Sequence, residues 1–437
     1  MQKKMVKKFF SKFSWKIIAQ TSLYMFFVFL PFQIDALLLS SNVYFSGFFN
    51  PYLSHFIYLG DLFFLIGMIA FAFHFLFEKI DFSFVPSVAQ KRFLALLSLF
   101  LFSYFVSIFF AVDATNSFFY FLRGGEFFVL FLLIFFRFLD FKVVMRNFVF
   151  VMMGISLVGL FQYLLQESLG LRFFGEPVIS SSTLGVAKVS IFNESYLRVY
   201  GTFPHPNIFA AYLVFSIYFT LHLLKDEKGV MRNFYRLFLI IFIFVLVLTF
   251  SRAAILGLIF GIVFYLKEFR VRVSYKKVAF YLLSFLAFIT LIGLLPVLFQ
   301  RFFVFDVNSF SERVLFLDIA RSMFKEHVFG VGAGNFTAVM QSFTDLKLLP
   351  WLYQPVHNVY LLLFAELGFF GGVLFIGLIF YILFLFLVQK SGQKIRIALP
   401  LTLFLLFVAF FDHYFISLYQ GQALLWIYFS LISQSVD

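Results

Sequence analysis

The chain has 437 residues, 63% of them hydrophobic and only 13% charged, a balance that excludes an ordinary soluble domain. It contains no cysteine, which excludes disulfides, thiolate chemistry and sulfur-ligated metals, so any extracytoplasmic loop has to order itself by packing. The formal net charge of +13 points first to nucleic acid, but the placement of the basic residues along the chain excludes that partner.

Phenylalanine supplies 79 residues, more than lipid contact requires, so single phenylalanines carry little functional information. The N-terminal MQKKMVKKFFSKFSWK is basic and leads into a long apolar run with no small-residue cleavage site. A retained first helix is expected there, not a removed signal peptide. Spans are expected near 17–39, 57–77, 93–111, 117–136, 148–165, 205–224, 237–250, 253–266, 278–298, 358–388, 397–411 and 420–433, most near the roughly 20 residues a bilayer requires, with the seventh and eighth short. With the N-terminus inside, the cytoplasmic segments hold 24 of the 34 Lys and Arg, and the outer segments eight. Arg123 and Arg252 lie in or at the edge of spans. That bias is a topology signal, and it leads one to expect both termini in the cytoplasm of a multi-pass membrane protein. The expected fold is an all-α polytopic membrane protein of about 12 transmembrane helices.

Two expected outer segments are long, 166–204 with ISSST near its middle, and 299–357. Long loops in compact proteins tend to be functional. Within the second, SERVLFLDIARSMFK (311–325) has Ser311 as a cap and Phe310, Val314, Leu317 and Phe324 at helical spacing. It predicts an amphipathic helix over the outer face, ended by the glycine-rich GVGAGN (330–335). The chain then divides into N-terminal transmembrane helices (1–165), transmembrane helices with the first outer loop and an SRAA segment (166–298), an extracytoplasmic helical cap (299–357) and C-terminal transmembrane helices (358–437).

On the expected outer side stand Arg198, Arg252, Arg313, Arg321, His357, Asn358, Asp412, His413 and Gln420. A His-Asn pair heading a membrane helix costs a few kcal/mol unless both side chains find partners, so it is a functional candidate. Guanidinium groups stay charged and fork onto phosphate oxygens, which suits them to a lipid-borne diphosphate at the interface. An imidazole with an unperturbed pKa of about 6.5 suits proton removal from a hydroxyl. Structural readings compete: Arg252 snorkelling to headgroups, Arg313 and Arg321 on a solvated helix face, Arg198 as a loop residue, His205 shaping a helix start and His413 pairing with Asp412. His55, His74, His222 and His327 are read as structural. Arg123, in LRGGE, is expected to pair with Glu126 inside the bundle, with a substrate role as the alternative.

From His357 the chain reads H-N, nine residues, G, two residues, G. This resembles the signature of the O-antigen ligase family, which overlaps in sequence with O-antigen polymerases and bacterial protein O-oligosaccharyltransferases. RVYGTFPHPN (198–207), SRAA (251–254), SERVLFLDIA (311–320) and FGVGAGNF (329–336) agree in order, so the resemblance covers roughly the second half of the chain. It implies an integral-membrane, GT-C-like glycosyltransferase that moves a glycan from undecaprenyl pyrophosphate to a hydroxyl acceptor outside the cytoplasmic membrane. It further implies His357 as the base, Arg252 and Arg313 as diphosphate ligands with Arg198 a further candidate, and no metal or other cofactor. One departure concerns the acceptor: ligases often carry Thr soon after the second glycine, where this chain continues GGVLF. Ligase and polysaccharide polymerase therefore stay open, with a lipid-linked glycan transporter or flippase as the non-enzymatic alternative. No pair of matching interrupted helices is apparent in the sequence, which weighs against the transporter.

Overall fold

The computed structural model describes residues 14–40, 44–45, 47–78, 84–183, 185–191, 194–268, 307–388 and 397–436. Helices dominate. In chain order the helices longer than one turn are α1 (Trp15–Phe29), α2 (Leu59–Phe77), α3 (Val88–Ser107), α4 (Ala114–Phe135), α5 (Phe141–Leu165), α6 (Pro206–Leu223), α7 (Gly229–Leu248), α8 (Arg252–Glu268), α9 (Val307–Glu326), α10 (Val359–Val388), α11 (Ala398–Ala409) and α12 (Tyr419–Ser435). Among the described residues, seven helices are long and apolar enough to cross a membrane: α2, α3 with its extension to Phe110, α4, α5, α6, α7 and α10. Three further apolar helices are shorter: α1, the Arg252–Tyr265 part of α8, and α11. The span expected at 278–298 lies outside the described residues.

The first expected span, 17–39, is corrected. Pro31, just past the Leu30 cap of α1, has no N–H to continue the helix. The remaining apolar stretch becomes strand β1 (Asp35–Ser40), paired antiparallel with β2 (Ser54–Tyr58). A short run such as DALLLS reads equally well as strand or buried helix by hydropathy alone. A further antiparallel pair, β3 (Lys188–Ile191) with β4 (Glu194–Leu197), occupies the first long loop. An all-α reading foresees none of these strands.

The chain forms two compact units. The first comprises Met1–Val151, Leu317–Lys390 and His413–Asp437. In it α1 packs on α2 where Gly67 leaves room for Leu23. α3 packs on α10 through Phe100 and Phe375, with ring centroids 5.3 Å apart. α4 meets α12 through Phe128 and Trp426, 5.7 Å apart. The second unit comprises Met152–Phe316 and Ser391–Asp412. Its helix α6 is buried along most of its length. There α8 lies close against α11, with Gly257 beside Phe404 and Gly261 beside the Pro400 carbonyl.

The expected amphipathic helix exists but differs in start and face. It begins at Val307, so Ser311 is inside it and not its cap. Its buried line is Phe316, Ile319, Ala320 and Met323, while Phe310 and Val314 are exposed. Both sets fit a helical period; only the packing partner decides which stripe is buried.

Candidate functional site

The head of α10 is built by local capping. Asn358 Oδ1 accepts the Leu361 N–H at 3.0 Å and its carbonyl accepts the Leu362 N–H at 3.0 Å. An amide at this position thus satisfies helix-start donors that would otherwise be orphaned. His357 stands one residue before the cap, half-buried.

α10 is interrupted at Gly368, whose φ of 67° and ψ of −166° belong to a region essentially reserved for glycine. The interruption frees carbonyls, and the GVGAGN loop satisfies two of them. Val331 N–H donates to the Ala365 carbonyl at 2.9 Å and Gly332 N–H to the Glu366 carbonyl at 3.0 Å. In return Phe369 N–H donates to the Val328 carbonyl at 2.8 Å. The buried Glu366 carboxylate accepts the Phe336 N–H at 3.3 Å. Asn335 ties the loop to α4 by donating to the Asp113 carbonyl and Ser117 Oγ, both at 3.0 Å. The nine residues between Asn358 and Gly368 are therefore the length of one half-helix.

The His357 ring stacks on the ring of His413, with centroids 4.9 Å apart and planes 12° from parallel. His413 is buried, its Nδ1 lies 2.6 Å from Ser417 Oγ, and Tyr52 meets it edge-on at 5.5 Å. Ser417 Oγ also reaches the His413 carbonyl at 3.1 Å. The single O–H of Tyr120 lies between the carbonyls of Tyr52 and Ser417, 3.4 and 3.3 Å away, and bridges the two sides of the clamp. Burial, reinforced by the neighbouring His357, pushes His413 well below the usual imidazole range, so it is neutral at neutral pH.

Arg123, also in the first unit, forms an ion cluster. Its guanidinium grips Asp61 with two bonds (2.6 and 2.8 Å), bonds Glu126, donates to the Phe56 carbonyl at 3.0 Å and lies over the rings of Tyr58 and Tyr419. The expected pairing with Glu126 is present, and Asp61 joins it from 62 residues away. This arrangement accounts for Arg123 as a bundle brace.

In the second unit Arg198 is buried. Its Nε donates to the Thr249 carbonyl at 2.6 Å and its Nη2 to Asn207 Oδ1 at 2.7 Å. Asn207 Nδ2 in turn donates to Asp412 Oδ2 at 2.8 Å. Thr249 lies in the turn between α7 and α8, where Phe250 takes a left-handed φ of 49°, strain of about 1–2 kcal/mol for a non-glycine residue. Arg252 follows as the first residue of α8, half-buried. Arg198 thus braces the turn that presents Arg252. His205 caps α6, its Nδ1 accepting the Asn207 N–H at 3.1 Å, which matches the reading of it as a helix-start residue. Arg313 is half-buried on α9, whereas Arg321 is exposed and pairs with Asp318 at 3.3 Å.

Sequence reasoning singled out His357 and His413 but not their stacking, nor the roles of Ser417, Tyr52 and Asn207. The GTFPHPN string was the one available signal for Asn207.

Residues 237–376 match the family model described as O-Antigen ligase, an interval that holds Arg252, Arg313, Arg321, His357 and Asn358. The chain is also similar to the ComP-specific O-oligosaccharyltransferase of Acinetobacter baylyi, 29% identical over 237 residues. That alignment covers 51% of this chain and 41% of the relative, so the chain spans less than half of the relative's length.

Proposed function

Because this chain belongs to the O-antigen ligase-like family of membrane proteins, we propose that it is a glycosyltransferase acting on a lipid-borne donor. It moves a glycan from an undecaprenyl-diphosphate carrier to an acceptor hydroxyl on the extracytoplasmic side of the cytoplasmic membrane. In this reading about twelve spans place both termini in the cytoplasm and residues 299–357 form a cap over the outer face.

The observation that carries the reading is the head of α10. An imidazole, half-buried and stacked on a second, neutral imidazole, stands at the start of a half-helix that a glycine loop holds in place. His357 takes the proton from the acceptor O–H as that oxygen attacks the anomeric carbon. The bond from that carbon to the diphosphate breaks on the opposite face, so the anomeric configuration inverts. Arg252 and Arg313 bind the diphosphate and stabilise the charge that grows on it, a contribution of about 10²–10³ in rate per donor in comparable sites. No metal is needed in this scheme, because the guanidinium groups supply the positive charge. Arg198 acts from behind by holding the 249–251 turn. The solvent-facing Arg321, already paired with Asp318, is assigned no substrate role.

The interruption of α10 is the feature a transporter would share. The Ala365 and Glu366 carbonyls at that break accept N–H bonds from the glycine loop, which is the arrangement of a structural joint. The acceptor separates the family's activities: lipid core for a ligase, growing glycan for a polymerase, protein hydroxyl for a protein O-oligosaccharyltransferase. Deleting the gene and weighing the envelope glycans by mass spectrometry tests the proposal. Unextended stubs assign polymerisation, and loss of whole chains with donor accumulating assigns ligation. Unchanged glycans and an unchanged donor pool would overturn it.

A further inference from the structure

The α10 head does not by itself set the plane of the His357 ring. His357 precedes the helix cap, in the non-helical segment 353–358. A base has to meet the hydroxyl proton along a nitrogen lone pair, so ring orientation matters to within about 10–20°.

Resting on the proposal that His357 is the base, we infer that His413 is its positioning residue: the His413 ring, clamped by Ser417 and Tyr52, is the flat surface that fixes the His357 ring plane. Two contacts hold that surface, and a third residue links them. The 2.6 Å approach of Nδ1 to Ser417 Oγ fixes the rotation of the His413 ring. Tyr52 closes one edge at 5.5 Å, and Tyr120 locks Tyr52 and Ser417 to each other through their carbonyls. His357 then stacks on a face of the His413 ring, nearly parallel. Burial keeps His413 neutral, so when His357 takes a proton it does not face a second cation across the stack. His413 itself touches neither donor nor acceptor in this account; it acts through His357.

The test uses the full-length protein, purified and reconstituted with a polyprenyl-diphosphate-linked glycan and its acceptor, and compares His413→Ala, His413→Phe and Ser417→Ala. His413→Ala is expected to lower kcat by about 10–100-fold, less than the roughly 10²–10⁴-fold that complete loss of a general base costs, with KM for the donor within about twofold. Phe keeps a flat ring and no charge, so His413→Phe should recover kcat to within about threefold of wild type. Ser417→Ala should fall between them, and this holds the inference open to refutation even where the Ala variant fails to accumulate. Wild-type kcat in both His413→Ala and Ser417→Ala, a Phe variant no better than Ala, or a loss confined to KM would each overturn the positioning role. His357→Ala, run alongside, separates the two layers. An active His357→Ala protein refutes the base assignment, whereas an inactive one beside a fully active His413→Ala refutes the positioning inference alone.

Discussion

Two glycines in one helix predict opposite outcomes from the same substitution. At Gly368 an added Cβ would overlap the Val328 carbonyl and the Phe329 backbone, and the residue holds a φ of 67°. The backbone region alone costs about 1–3 kcal/mol for a non-glycine residue. Forcing the loop backbone aside adds about 1–3 kcal/mol as overpacking, because no flexible side-chain end can yield. Gly368→Ala is therefore expected to destabilise by about 2–6 kcal/mol. At Gly377 nothing lies within 4 Å of the added Cβ. Gly377→Ala should instead stabilise by about 0.5–1 kcal/mol, the usual gain of alanine over glycine inside a helix. Unfolding of both purified variants in detergent, followed by circular dichroism against denaturant, measures the difference. Equal shifts, or a Gly368→Ala protein as stable as wild type, would refute the half-helix joint and with it the structural reason for the nine-residue spacing.

Arg123→Ala leaves Asp61 and Glu126 facing each other without their cation and is expected to cost about 3–5 kcal/mol, read as a collapse in membrane accumulation. Arg252→Ala should lower transfer by about 10²–10³-fold, while Arg321→Ala, on an exposed pair, should change neither transfer nor stability measurably. The depressed pKa of His413 sets a pH dependence of stability. The unfolded imidazole takes up a proton near pH 6.5 and the folded one does so only well below it, so stability falls on acidification through that window, by at most about 1.4 kcal/mol per pH unit. Unfolding measured between pH 8 and pH 5 should show this slope in wild type and lose much of it in His413→Phe.

Composition was sufficient for the class of molecule, because a chain 63% hydrophobic has to satisfy its backbone in helices that cross a bilayer. Local signals also served: the i, i+3 spacing gave the Arg123–Glu126 pair, and the proline flanks of His205 marked the start of α6. What escaped was set by partners far away in sequence. Asp61 reaches Arg123 from α2, and Asp412 bonds Asn207 across 205 residues, distances at which no periodicity applies. The break in α10 escaped for another reason. Hydropathy reports how apolar a run is and says nothing about φ, so a run of 30 apolar residues reads as one span. The buried stripe of α9 was misjudged because two helical stripes compete there, and local sequence does not reveal which one meets a wall.

The central claim is that His357 removes the acceptor proton in glycan transfer from a lipid diphosphate. Its most direct measurement is transfer from a purified polyprenyl-diphosphate-linked glycan onto acceptors in membranes of a deletion strain, using reconstituted wild-type and His357→Ala protein at matched amounts. The account predicts labelled acceptor with wild type and a loss of at least about 10²-fold with His357→Ala. Equal transfer by the two proteins would contradict it.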